Sequence, residues 1–316
     1  MPAKGLFTQG VVVLFNRQLK LGDITPLLAE FRVLKTVEEA TPMSGPAVVI
    51  EFDKESSGMA IVDLTNDEWP DTMGSSQEDA DIIAAWSMGH YGPFAHSGGL
   101  TRATDNATHW EQASDELARQ MAFARIKITY SLGCESADPI VQEKCDPRGE
   151  LDYLISIVQA LLKHPFAIGY FNPNGEVLMN TQQLQESLTY HREQQLAPLE
   201  VWSKIRAYHI DESWTLMDCV GNEQLDLPDH ETGFNRHEIS MDEMAAFVRN
   251  ATMHMLTDPD DVIRDGDTSH GPGDMPWEGY RTTDPLSDPP RRVIRWLPAN
   301  AKELPEMLLD GIKKKR

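Results

Sequence analysis

The chain has little cysteine. Three residues in 316, Cys134, Cys145 and Cys219, stand at irregular spacing with no CxxC pair. Disulfide frameworks and zinc ribbons need more thiols, in closer pairs, so all three are expected to be reduced and non-catalytic. Long apolar runs are also missing. The longest near the start, Val11 to Phe15, is too short for a secretory leader or a membrane span, and the cytoplasm is the expected location. Basic residues are scarce, with 28 Lys and Arg against 50 Asp and Glu and a formal net charge of −22. Such a surface repels phosphate backbones and anionic lipid, which argues against nucleic acid and membranes as partners. Neither GxxxxGK[ST] nor GxSxG occurs, which removes the phosphate-cradling loop and the hydrolase elbow. His237-Glu238 opens like a zinc-protease helix, but Met241 stands where the second histidine is needed. Neither a cofactor nor a metal is expected.

What remains is the composition of a folded protein. Hydrophobic residues make up 41% and charged residues 25%, which excludes disordered and fibrous classes, and the length suits two domains. QGVVVLFN (9–16) reads as a strand buried on both faces, and Asp23 as the start of a short helix. PAVVIEF and GMAIVDL, joined by DKESSG, read as a hairpin. Helices are predicted from Glu78 to Met88 and from Trp110 to Arg125, then a strand in ARIKITYSL. The polar segment 134–149, with Pro139 and Pro147, predicts a linker or exposed loop. Beyond it the pattern predicts a helix at 150–163, the strand pair FAIGYF and EVLMN, and a helix at 181–194. Strands near 202–209 and 214–220 follow, then a helix at 240–256 opened by the capping box Ser240/Glu243. The Asp/Gly/Pro-rich quarter after it predicts one short strand, and RRVIRWL a last one. These patterns predict an α+β fold of two domains, 1–133 and 150–297, with mixed or antiparallel sheets covered by helices and a basic tail at 298–316.

Three segments concentrate chemistry. AWSMGHYGPFAHSGGL (85–100) alternates glycine with aromatics and carries His90 and His96, candidate ligands or general bases, beside the expected core residues Trp86 and Phe94. DGDTSH (265–270), preceded by Asp258, Asp260 and Asp261, sets carboxylates two apart as calcium loops do, but lacks the closing glutamate of the twelve-residue pattern. Asp229 and Glu231 form a possible carboxylate pair, with Cys219 and His230 nearby in sequence, yet a cysteine inside WTLMDCVG reads as a small core residue. Charge is unevenly spread. Residues 211–290 hold 19 acidic and 4 basic residues and no lysine, whereas 291–316 hold 8 basic and 3 acidic and end in Lys313, Lys314, Lys315 and Arg316.

The strings WPDTMG (69–74), AWSMGHYGPF (85–94), FNPNGEVL (171–178), LMDCVGNEQLDLPDHE (216–231) and DGDTSHGP (265–272) together resemble the bacterial domain-of-unknown-function family 4261, over residues 8 to 297. The family usually has threonine at the position of Cys219, a further argument against a nucleophilic thiol. The resemblance implies a bacterial, cytoplasmic α+β protein and carries no catalytic residue with it. The function expected is a non-enzymatic acidic binding protein, in its most concrete form an immunity-type protein occluding a basic partner such as a toxin domain. Asp229, Glu231, Asp265 and Asp267 are its expected contacts. The alternative is an enzyme, with or without a metal, using His90, His96, Asp267 and His270 in an inter-domain cleft.

Overall fold

The computed structural model describes residues 5–75, 79–131, 145–258, 262–299 and 304–312. The chain divides into two compact units, Met1–Trp202 and Ser203–Arg316, and the fold is α+β.

In the first unit the elements run β1 (Gln9–Phe15), α1 (Leu21–Ile24), β2 (Val33–Val37), β3 (Ala47–Asp53), β4 (Gly58–Thr65), α2 (Ala80–Ser87), α3 (Gly99–Asp105) and α4 (Ala113–Leu117). There follow β5 (Ala122–Thr129), α5 (Pro147–Leu161), β6 (Ala167–Asn172), β7 (Val177–Met179), α6 (Thr181–Gln194) and α7 (Leu199–Trp202). The strands form one antiparallel sheet in the order β2-β3-β4-β5-β1-β6-β7. β1 sits between β5 and β6 and is buried along its whole length, which is why its sequence is apolar without alternation. Val12 and Leu14 join Trp69, Trp86, Tyr91, Trp110, Phe123 and Phe171 in one core cluster, while α5 packs against β1 and β5.

The segment 85–100 is part of this core. Trp86 and Tyr91 are buried and packed at 4.9 Å between ring centroids; Phe94 is only half-buried, and Tyr91 takes the place expected for it. Buried Asn174 ties the segment down, donating to the Gly10 carbonyl at 2.7 Å and accepting the Phe94 N–H at 3.0 Å. Gly92 has φ +122° and a Cβ there would meet the Asn174 side-chain oxygen at 2.6 Å, so this position requires glycine.

The second unit contains β8 (Lys204–His209), β9 (Trp214–Val220), β10 (Asp229–Asn235), α8 (Met241–Thr257), β11 (Thr268–Gly271), β12 (Met275–Thr282) and β13 (Val293–Pro298). Its sheet is mixed, ordered β11-β12-β13-β10-β9-β8, with β10 and β13 parallel and the other pairs antiparallel. Helix α8 begins as its capping box predicts: the Ser240 hydroxyl accepts the Glu243 N–H, and the Glu243 carboxylate accepts the Ser240 N–H. Its buried face, with Met244, Phe247, Val248 and Met255, covers Met217, Phe234, Trp277 and Trp296 of the sheet.

Three expectations about organisation change. The domain boundary lies at Trp202/Ser203 and not at 134–149, because β6 pairs with β1 (Val12 opposite Phe171) and carries the first sheet past that segment; residues 132–144 are outside the described residues. The helix expected at 110–125 is confined to α4, since pairing with β1 and β4 draws residues from Ala122 onward into β5. The basic tail is also partly built in: Leu308 and Ile312 are buried with Leu216 and Leu297 on the sheet face opposite α8. Lys313 to Arg316 lie outside the described residues.

Candidate functional site

Two of the expected partner contacts are interior groups. Asp229 and Glu231 are 2% and 0% exposed, because the register of β10 between β9 and β13 turns them into a buried ionic network. Asp218 on β9 stands opposite Arg206 on β8 and Glu231 on β10. Its carboxylate holds Arg206 and Arg291, each at 2.5 Å, and accepts the Ser287 hydroxyl. Arg291 Nε lies 3.1 Å from Asp229, whose carboxylate also accepts the Gly221 and Asn222 N–H groups. Glu231 pairs with Arg295 at 2.6 Å. Burial pushes Asp229 up to about 6, with Arg291 opposing it, and raises Glu231 against the pull of Arg295. Three buried carboxylates are thus matched by three buried guanidiniums, and neither Asp229 nor Glu231 is available to a partner surface.

Cys219 lies in the same interior. Its sulfur accepts the His230 backbone N–H at 3.1 Å, and burial raises its thiol well above the ordinary value, which fits an inert core residue. Cys145 is half-buried and in no disulfide; Cys134 is outside the described residues.

The histidines expected in a catalytic site belong to different units. His90 and His96 are in the first. His90 is buried, its Nδ1 at 3.2 Å from Lys127 Nζ, in contact with a cluster in which Asp63 binds Arg125 and Lys127, each at 2.7 Å. Phe7 packs edge-on against the imidazole. Burial, then the Lys127 charge, lowers His90 to about 4, while Asp63 is held well below the carboxylate range by the two cations despite its burial. His96 is half-buried in the loop that follows.

Asp267 and His270 are in the second unit, where they line one cavity of about 620 Å³ between α8 and β11. Asn250, Ala251 and His254 contribute from the last two turns of α8, Thr268 and Ser269 from β11, and Phe247, Ile263 and Trp296 form an apolar floor. Trp296 is oriented from behind, its indole N–H donating to Nδ1 of buried His230 at 3.1 Å. Asp267 is exposed, with its carboxylate accepting the Arg264 N–H at 2.6 Å, and exposed Asp265 accepts the Arg281 N–H at 2.7 Å. His254 and Trp296 were missed in the sequence. The helical spacing of Phe247, Asn250, Ala251 and His254 was a usable sign for the first, but nothing local marks the second. Among the described residues, no group of three or more His, Cys, Asp or Glu is placed to hold a metal ion; Asp260 and Asp261 lie outside them. No helix of the described residues is long and apolar enough to cross a membrane.

No curated protein and no solved structure matches this chain significantly. A family model does match, over 218–297, a shorter stretch than the resemblance at 8–297 suggested; the strings at 69–74, 85–94 and 171–178 fall outside it. Over residues 218–297, from the buried Asp218 network through α8 and the cavity to β13, the chain is similar to the family described as a domain of unknown function (DUF4261).

Proposed function

We propose that the protein is a non-enzymatic binding protein whose second unit meets a basic protein surface, a toxin domain being the most concrete case. The observation that supports this reading is how charge is sorted between interior and surface. Arg206, Arg291 and Arg295 are consumed in neutralising Asp218, Asp229 and Glu231 inside. Outside that neutral network, the exposed charged set in 211–290 is mostly acidic: Asp211, Glu212, Glu238, Asp242, Glu243, Asp258, Asp265, Asp267, Asp274, Asp284 and Asp288, against exposed Arg264 and Arg281. Uncompensated surface charge of this density steers a cationic partner and raises its association rate.

The test is association kinetics against a partner captured from a native host, at about 50 and about 500 mM salt, the range over which surface charges become screened. A steep fall in on-rate with salt, and a similar fall when Asp258, Asp265 and Asp267 are changed to Asn, is the expected result. An on-rate indifferent to both would reduce the acidic surface to a solubilising coat. The enzyme reading draws its remaining support from the cavity, where Asp267 and His270 are joined by His254. It predicts a turnover that Asp267→Asn abolishes.

A further inference from the structure

We infer that the cavity between α8 and β11 receives a lysine or arginine side chain from an extended basic segment, whose backbone pairs with the open edge of β11. This deepens the partner reading above and rests on it. Three observations meet at the site.

The first is the cavity itself. Its volume of about 620 Å³ lies within the range of small-ligand sites, about 300–1,000 Å³. The floor offers the aromatic rings of Trp296 and Phe247, and the wall is formed by the last turns of α8, where carbonyl dipoles leave partial negative charge. Aromatic faces and a helix C-terminus both favour a cation over an anion.

The second is the strand edge. Among the described residues β11 has one strand neighbour, β12, and ends the sheet. Opposite His270 stands Pro276, which has no N–H to donate, and the Gly279 N–H donates to the Asp267 carbonyl at 2.9 Å. Antiparallel pairs alternate between bonded and non-bonded. The Asp267 carbonyl and the backbone groups of Ser269 and Gly271 therefore face β12, the Asp267 N–H donating to the Arg264 carbonyl, and Thr268 and His270 turn their N–H and C=O outward. The same alternation puts the Asp267 and Ser269 side chains on the α8 face, as Ser269 opposes Trp277. Thr268 and His270 border the cavity along the strand edge. An added strand would find a register already set, with every second side chain directed toward the cavity.

The third is charge. Among the described residues of 258–274 the exposed charged groups are Asp258, Asp265, Asp267 and Asp274 against Arg264, which selects a basic segment over an acidic one.

The probes are three fluorescein-labelled hexapeptides: alternating Arg-Thr, the same peptide N-methylated at alternate backbone amides, and alternating Glu-Thr. Binding is read by fluorescence anisotropy with the full chain and with Asp267→Asn and His270→Pro. The latter removes an outward N–H and leaves the ladder to β12 intact; near-UV circular dichroism checks both folds, and Asp267→Asn stands alone if the proline variant misfolds. The Arg-Thr peptide should bind, about tenfold more weakly after N-methylation or either substitution, and the Glu-Thr peptide should not bind. Equal binding by the N-methylated peptide and by both variants would overturn the site while leaving diffuse attraction to the acidic surface, and so the partner reading, standing. Absence of Arg-Thr binding overturns it too, as does a dimer in sedimentation that the peptide does not displace. The kinetics with the captured partner test the broader reading separately.

Discussion

Asp218 carries two guanidiniums in a site closed to water, and the balance of that site depends on it. Changing Asp218 to Ala leaves Arg206 and Arg291 buried without their shared counter-ion, a loss expected to cost about 3–5 kcal/mol. It should appear as a lowered urea midpoint, and an unchanged midpoint would contradict the network as drawn. His90 governs a second effect, through pH. Folded, it stays neutral down to about 4, whereas its ordinary value is 6.5. Between these values the unfolded chain binds the extra proton, so stability falls as pH drops through that window and is level above it. His230, lowered by burial to about 3, adds in the same direction. His90→Asn should therefore shrink the difference in unfolding free energy between about pH 7 and about pH 4 by on the order of 3 kcal/mol, with the His230 part remaining. A pH profile identical to that of the parent protein would refute the assignment. For the thiols, titration of the unfolded, unreduced chain should count three, with Cys219 unreactive in the folded state because it is buried.

At the scale of elements, Trp86→Ala should cost about 3–5 kcal/mol, as for other large aromatics removed from a core, measured by chemical denaturation. Ser240→Ala should cost about 1 kcal/mol through loss of the α8 cap. Elements whose own residues carry the pattern were legible in the sequence: β1 by its continuous apolar run, α5 by its apolar stripe, α8 by its capping box. β10 was not. Its DHET start is polar, and what makes it an interior strand is the arrival of Arg291 and Arg295 from more than sixty residues away along the chain. β2 escaped for the opposite reason, because all five of its residues are exposed and no alternation marks it. The site was half legible: Asp267 and His270 stood in a conspicuous segment, but His254 and Trp296 join them only through packing of α8 on the sheet. The same limit misplaced Asp229 and Glu231, since a carboxylate in sequence shows its charge and not its partner.

Over the whole molecule, the formal charge of −22 is held mainly at the surface, since the buried Asp218, Asp229 and Glu231 are matched by Arg206, Arg291 and Arg295. Self-repulsion should therefore be relieved by salt. As ionic strength rises from about 10 to about 150 mM the screening length shrinks from about 30 to about 8 Å, and the thermal midpoint should rise. A falling midpoint would mean that exposed pairs such as Arg32–Glu51 outweigh the repulsion.

The position of β1 has a consequence for synthesis. It precedes the other strands of its sheet along the chain and lies in the interior of that sheet, yet one of its two neighbours, β6, ends at Asn172. On the ribosome β5 reaches it first, and roughly 40 further residues must be translated before β6 follows, about two to eight seconds at ordinary elongation rates. During that interval the nascent chain presents QGVVVLF with one unpaired edge. A segment of high β-propensity without charge or proline is prone to aggregate in that state. Folding yield in a cell should therefore depend on chaperone access to the growing chain more than on the stability of the finished sheet.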